Sequence, residues 1–150
     1  MAMTGNGFMT MALEQAEAAA RRGEVPVGAV VVCGEDVLAA RGNETRQAAD
    51  PTAHAELLAI REAAARLGSE RLTGCDLYVT LEPCPMCAGA ISHARLARLY
   101  FGAEDPKGGG VLNGPRVFSS PTCLHRPEVY PEIGASAASE LLRGFFQQLR

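Results

Sequence analysis

No segment of this 150-residue sequence approaches the roughly 20 consecutive apolar residues that span a bilayer. The opening stretch from Met1 to Phe8 also lacks the basic region and apolar run of a secretion signal, so a cytoplasmic protein with no membrane attachment is expected. Excess positive charge is missing as well: 14 basic residues against 17 acidic ones leave a formal net charge of −3, without the overall footprint of a nucleic-acid binder. All but one of those basic residues are arginines, scattered along the chain, so contact with a polyanion requires arginines that converge in space. Repeats, linkers and low-complexity tracts are absent too. Five cysteines, an odd number in a chain expected to be cytosolic, argue against a framework of structural disulfides.

What remains is ordinary for one globular domain spanning residues 1–150, with 47% hydrophobic and 21% charged residues. Residues 1–7 are small and polar with two glycines, and read as a frayed start. Helical spacing of Phe8, Ala12, Leu13, Ala16, Ala19 and Ala20 predicts a helix from Phe8 to Arg22, stopped by Gly23. The β-branched run Val25 to Cys33, the turn Gly34-Glu35-Asp36 and Val37 to Ala40 predict a hairpin, followed by a polar loop to Asp50. Ala53 to Leu67 is again helical in spacing, Leu77 to Leu81 is a short strand, and Pro83 and Pro85 open a helix reaching about Arg95. Leu96 to Gly102 reads as a strand, Pro106 to Pro121 as a glycine-rich loop, and Ala135 to Leu149 as a closing helix. Alternating strands and helices imply an α/β fold, a mixed and mostly parallel sheet covered by helices on both faces.

Two helix starts carry the chemistry. His54 and Glu56 open one helix, and Pro83-Cys84-Pro85-Met86-Cys87 opens the next. Cysteines three apart on a helix share a face, so Cys84 and Cys87 can reach one ion. With an imidazole they make three ligands suited to zinc, the usual number for a catalytic centre whose fourth position is left to water. Helix N-termini favour the deprotonated thiols. Zinc lowers the pKa of its water to about 7, and a neighbouring carboxylate can take that proton and return it to a ring nitrogen and a leaving amine. Glu56 is the candidate for that shuttle. On a continuous helix His54 and Glu56 would diverge, so they can serve one site only if the N-terminal end of the helix points at the metal. His-x-Glu followed by Pro-Cys-x-x-Cys is the joint mark of the zinc-dependent base deaminases.

Simpler readings compete. Cys-x-x-Cys also occurs as a redox pair or as half of a structural zinc site, completed here by two of Cys33, Cys75, Cys123, His93 and His125. Neither has any use for Glu56. Cys33 and Cys75, in or beside apolar strands, read as buried filler, and His93 and His125 as structural or surface residues.

The likeness extends beyond the metal motif. Glu24-Val25-Pro26-Val27-Gly28-Ala29-Val30, Asp50 to Glu56, Tyr78 to Ile91 and Phe101-Gly102-Ala103 together resemble the bacterial tRNA-specific adenosine deaminases, across nearly the whole chain. That resemblance implies a cytidine-deaminase-like three-layer α/β/α fold, one zinc ion per subunit, a homodimer, and hydrolysis of adenosine to inosine at the wobble position of a tRNA anticodon stem-loop. It implies His54, Cys84 and Cys87 as zinc ligands, Glu56 as proton shuttle, and Asn43 as a hydrogen-bond partner of the flipped-out base. Val27, Ala55 and Leu81 are similar to residues lining the base pocket. Ala103 and Asp105 follow as further candidate substrate contacts. The loop Asp105 to Gly110 keeps an Asp and a Lys but otherwise departs from the family, and the final helix carries Phe145-Phe146 without a basic tail. Free-base deaminases acting on guanine or cytosine share the metal motif and form the alternative, with a zinc-stabilised binding module as a more distant one.

Overall fold

The computed structural model describes residues 5–148. Its first helix, α1 (Gly5–Arg21), presents Phe8, Met9, Ala12, Ala16 and Ala19 as a buried stripe, the alanines allowing the helix to lie close to the sheet. Residues 5–7 belong to this helix, so the expected frayed start does not extend to them; residues 1–4 lie outside the described ones. Strand β1 (Gly28–Cys33) begins later than the apolar run, because Val25-Pro26-Val27 forms a tight turn in which Val27 N–H donates to Val25 O. Gly28 follows where α1 crosses, and a Cβ there would collide with the Ala12 carbonyl. The hairpin is completed by β2 (Asp36–Gly42), after which come α2 (Ala55–Leu67), β3 (Cys75–Leu81), α3 (Pro85–Ala94) and β4 (Arg98–Ala103).

A short 3-10 turn (Val117–Ser119) interrupts the glycine-rich segment, and a three-residue strand, β5 (Glu128–Tyr130), was not expected from the sequence. The chain closes on α4 (Ala135–Gln148); Leu149, where that helix was expected to end, lies outside the described residues.

The strands form one mixed sheet in the order β2-β1-β3-β4-β5. β1 runs antiparallel to β2 and β3, while β3 to β4 and β4 to β5 are parallel, so the two orientations are evenly represented among the described residues. α1 and α4 cover one face, α2 and α3 the other. Alternation along β1 serves both layers: Val30 and Val32 face α1 with Tyr78, and Ala29 and Val31 pack with Ala59, Leu77, Val79 and Ile91. On the α1 side Tyr78, Tyr100 and Tyr130 occupy one register row of β3, β4 and β5 and stack with ring centroids 4.4 and 4.9 Å apart. This is the three-layer α/β/α arrangement expected from the sequence. It leaves the N-terminal ends of α2 and α3 side by side near the carboxyl end of β3, where open α/β sheets commonly bind ligands.

Candidate active site

Each of the two helices on one face begins with a candidate ligand. His54 is the N-cap of α2, with extended backbone angles of φ −73° and ψ 150°, and Cys84 is the N-cap of α3, with φ −71° and ψ 171°. The expected helix start at Ala53 is thus corrected to Ala55. Within a helix His54 and Glu56 would point about 200° apart. Because His54 precedes the first helical residue, that divergence does not apply, and both side chains reach the same cavity. Pro85 at the first turn of α3 supplies helical φ without sacrificing a needed donor, and holds Cys84 and Cys87 at the same helix end.

The His54 Nδ1 atom lies 3.6 Å from Cys84 Sγ and 3.5 Å from Cys87 Sγ, and the three donor atoms fall within 4.8 Å of one another. Zinc bonds of about 2.3 Å to sulfur and about 2.05 Å to nitrogen at a tetrahedral angle place N and S about 3.6 Å apart. The observed spacing therefore fits a single tetrahedral ion. The donors also interact as a set of shared protons. Hydrogen bonding from the Cys87 thiol, reinforced by His54 and opposed by burial, draws the Cys84 thiol down to about 4. Donating to Cys84, together with its own burial, pushes Cys87 up. The hydrogen bond with Cys84 raises His54 against the opposing effect of burial. Only the Cys84 thiol already favours its ligating form; the imidazolium and the Cys87 thiol must each give up a proton for a cation to bind.

Glu56, in the first turn of α2, is 4% exposed. Removal from water pushes its carboxyl up to about 7, close to neutrality, where a carboxyl group both accepts and donates protons readily. A cavity of about 320 Å³ opens onto Glu56, His54 and Cys84, a volume at the small end for ligand pockets. Of the expected substrate contacts, Asn43, Val27, Leu81 and Asp105 line it. Ala55 and Ala103 are buried in the framework behind it, Ala55 in the core cluster and Ala103 at the end of β4, accepting Glu82 N–H through its carbonyl. Asn43 is 6% exposed and donates through Nδ2 to Thr45 Oγ1 at 3.2 Å. His93, His125, Cys33, Cys75 and Cys123 stand outside the His54–Cys84–Cys87 cluster; Cys75 is buried as expected, Cys33 is only partly so, and His125 Nε2 is hydrogen bonded with Leu96 O.

Two irregular loops form the cavity walls. Residues 43–50 carry Asn43 and Thr45, and residues 104–113 carry Asp105 and Gly108. Each is held by a carboxylate to which the sequence had suggested no role. Glu24, 1% exposed, accepts Arg46 N–H at 3.1 Å and Gln47 N–H at 2.7 Å. Glu82, 2% exposed, accepts N–H groups of Asp105, Val111, Leu112 and Asn113 at 2.9 to 3.1 Å, and the Asn113 side-chain amide at 2.7 Å. Burial alone would raise Glu82, yet these donors hold its carboxyl below the ordinary carboxylate range. The available sequence signal was a carboxylate at the end of an apolar strand, where a buried charge demands donors.

A groove of about 520 Å³ shares Val25, Leu81 and Asp105 with the cavity and is lined further by Glu104, Lys107, and Leu142 and Phe146 of α4. Phe146 is half exposed there. Arg46 and Arg116 sit on or just beyond the two wall loops, their guanidinium groups donating to Gly23 O and Leu112 O.

Comparison with known proteins agrees with this geometry. The family model of the MafB19-like deaminases matches residues 3–150. The chain belongs to that deaminase family. It is 57% identical to the tRNA-specific adenosine deaminase of Agrobacterium fabrum over 95% of this chain and 94% of that one. The tRNA-specific adenosine deaminase of Aquifex aeolicus is 46% identical, again over 95% of this chain and 94% of the relative. A solved structure from biochemical and structural studies of A-to-I editing by tRNA:A34 deaminases at the wobble position superposes with a TM-score of 0.89 at 57% identity, covering 90% of this chain and 98% of that one. The match to these tRNA-specific adenosine deaminases runs over nearly the full length of each chain.

Proposed function

We propose that this protein hydrolyses adenosine to inosine at the wobble position of a tRNA, with His54, Cys84 and Cys87 holding one zinc ion per subunit and Glu56 moving the protons. The observation that carries the reading is the convergence of three zinc-type donors, a buried carboxyl poised near neutrality and a base-sized cavity, in a chain 57% identical to a tRNA-specific adenosine deaminase. When bound, zinc would supply Lewis acidity and a water acidic enough to act as nucleophile at neutral pH.

The chain's own residues account for the rest. Glu56 removes a proton from the attacking water as the new bond to C6 of adenine forms, and delivers it to ring N1. The remaining proton, from the hydroxyl added at C6, passes through Glu56 to the exocyclic amine as that oxygen becomes the carbonyl, the C6–N bond breaks, and ammonia leaves inosine behind. Asn43 offers hydrogen bonds to the base edge, while Val27 and Leu81 provide apolar walls. Burial of the site keeps the carboxyl close to the reacting atoms and restricts competing water.

The groove leading away from the cavity supports a polynucleotide over a free base, because half-exposed Phe146 offers a stacking surface; its polar lining sets Lys107 beside Glu104 and Asp105. An anticodon loop presents unstacked bases that can be splayed into such a cavity. We further propose a cytoplasmic homodimer, since one small subunit offers limited surface to a folded stem-loop; a dimer mass in light scattering at micromolar concentration is the expected result.

Incubation with an anticodon stem-loop and, separately, with adenine, guanine and cytosine tests the substrate. Inosine should form in the stem-loop far faster than any free base is converted, and the rate should fall with added salt as arginine–phosphate contacts through residues such as Arg46, Arg116, Arg126 and Arg143 are screened. Rapid xanthine or uracil formation beside an inert stem-loop would favour the free-base reading.

A further inference from the structure

We infer that Glu24 and Glu82 are paired positioning residues, each fixing one wall of the substrate cavity by gathering backbone N–H groups of an irregular loop onto a buried carboxylate, beyond the hydrogen bonds the loop makes within itself. The inference rests on the deaminase reading for its kinetic consequence, but its structural part stands independently of the substrate.

Neither wall is built from regular secondary structure. Residues 43–50 link β2 to the approach to α2, and residues 104–113 follow β4 as turns and bends. A loop of this kind keeps a defined shape only if its backbone donors find partners. Glu24 satisfies two of them on the first loop, and Glu82 satisfies four on the second together with the Asn113 amide. Both carboxylates are essentially inaccessible to water, at 1% and 2% exposure, so their hydrogen-bonding capacity is spent on the loops.

The second wall is also bound to the ligand turn. Gly110 N–H donates to Pro83 O at 2.8 Å, one residue before Cys84, and a Cβ on Gly110 would come within 2.7 Å of Pro85. A Cβ on Gly109 would collide with the Glu82 carboxylate. Gly109 and Gly110 are therefore needed for the loop to close onto Glu82 and pack against the turn that presents Cys84. Asn43 and Asp105 project from the two walls into one cavity, so displacement of either wall alters substrate fit, whereas His54, Cys84, Cys87 and Glu56 belong to the starts of α2 and α3 and not to the loops.

Replacing a carboxylate by its amide retains shape but presents an NH2 group to N–H donors, so at least one donor in each cluster loses its acceptor. In zinc-loaded Glu24→Gln, hydrogen exchange should accelerate at Arg46 and Gln47 and not at 105–113. In Glu82→Gln it should accelerate at Asp105 and 111–113 and not at 46–47. Both variants should keep one zinc per chain and raise KM for the stem-loop by roughly tenfold to a hundredfold, with kcat changed much less. If a glutamine variant fails to fold, Glu24→Asp and Asn113→Ala probe the same two walls, with the same local exchange pattern and a smaller rise in KM. Exchange that rises over the whole chain, unchanged exchange at the named amides, or a fall in kcat at unchanged KM would overturn the inference. Should the local exchange pattern appear while the stem-loop proves inert even with wild-type protein, the wall assignment stands and the substrate reading fails.

Discussion

His54 and Cys84, thirty residues apart in sequence, are the N-caps of neighbouring helices whose ends face each other, with Nδ1 and Sγ separated by 3.6 Å. An N-cap side chain is not committed to the helical direction, and here neither one caps its own helix through a side-chain hydrogen bond. Both are free to serve a shared centre. Their positions account for the convergence of the three candidate donors and also for the presence of Glu56 in the same cavity, on the first turn of α2.

Metal analysis of purified protein should return one zinc per chain. Cys84→Ala and His54→Ala should each lose most of it, since a two-ligand site is no longer a closed chelate, and metal affinity should fall as pH drops because the ligands must be deprotonated. Removal of zinc by a chelator should abolish turnover, and re-addition should restore it. Full zinc content in Cys84→Ala would contradict the ligand assignment.

Glu56→Ala separates catalysis from structure. The carboxylate holds no metal in this arrangement, so zinc content and the circular dichroism spectrum should match wild type while kcat falls by about 10²- to 10⁴-fold, the usual worth of a positioned acid–base group. Turnover within a fewfold of wild type would remove Glu56 from the proton path.

Asn43→Ala should leave zinc and fold intact and lower kcat/KM for the stem-loop by on the order of tenfold to a hundredfold, as expected when a buried hydrogen-bonding partner of a substrate is lost. Asn43 also donates to Thr45 Oγ1, so Thr45→Val is the control for loop order. If Thr45→Val reproduces the whole defect, Asn43 acts on the loop and not on the base.

Alkaline stability should be governed by β3. Burial, reinforced by neighbouring Cys33, pushes the Cys75 thiol up to about 12 from 9.0, and burial with Tyr100 nearby pushes the Tyr78 hydroxyl up to about 12 from 10.0. Both groups hold their protons more tightly when folded. Their contribution to stability is complete below pH 9 and is lost as pH rises toward 12, because the unfolded chain releases those protons first. Denaturant midpoints measured from pH 8 upward should fall along this limb, and Cys75→Ala with Tyr78→Phe should flatten it. An unchanged slope in the double variant would show that other groups govern the alkaline limb.

Much of this protein was legible in its sequence because the decisive signals are local. A β-branched run makes β1, three-four spacing makes α1 and α2, and proline before and after Cys84 marks a helix start, all through interactions between residues a few positions apart. The candidate donor cluster was legible for the same reason: His54-Ala55-Glu56 and Cys84 to Cys87 are compact motifs whose chemistry depends on residue type and short spacing. β5 was not, because Glu128-Val129-Tyr130 is too short to show a period and becomes a strand only by pairing in parallel with β4. The even division of the sheet between parallel and antiparallel pairs likewise depended on β1 lying between β2 and β3. His54 could be placed beside Glu56 only once its extended backbone was seen, since helix ends are set by caps and packing and not by periodicity. The roles of Glu24 and Glu82 lay furthest out of reach. A carboxylate in a sequence does not reveal which amides, some 20 to 30 positions away, will surround it, and that pairing arises only when tertiary packing excludes water from both.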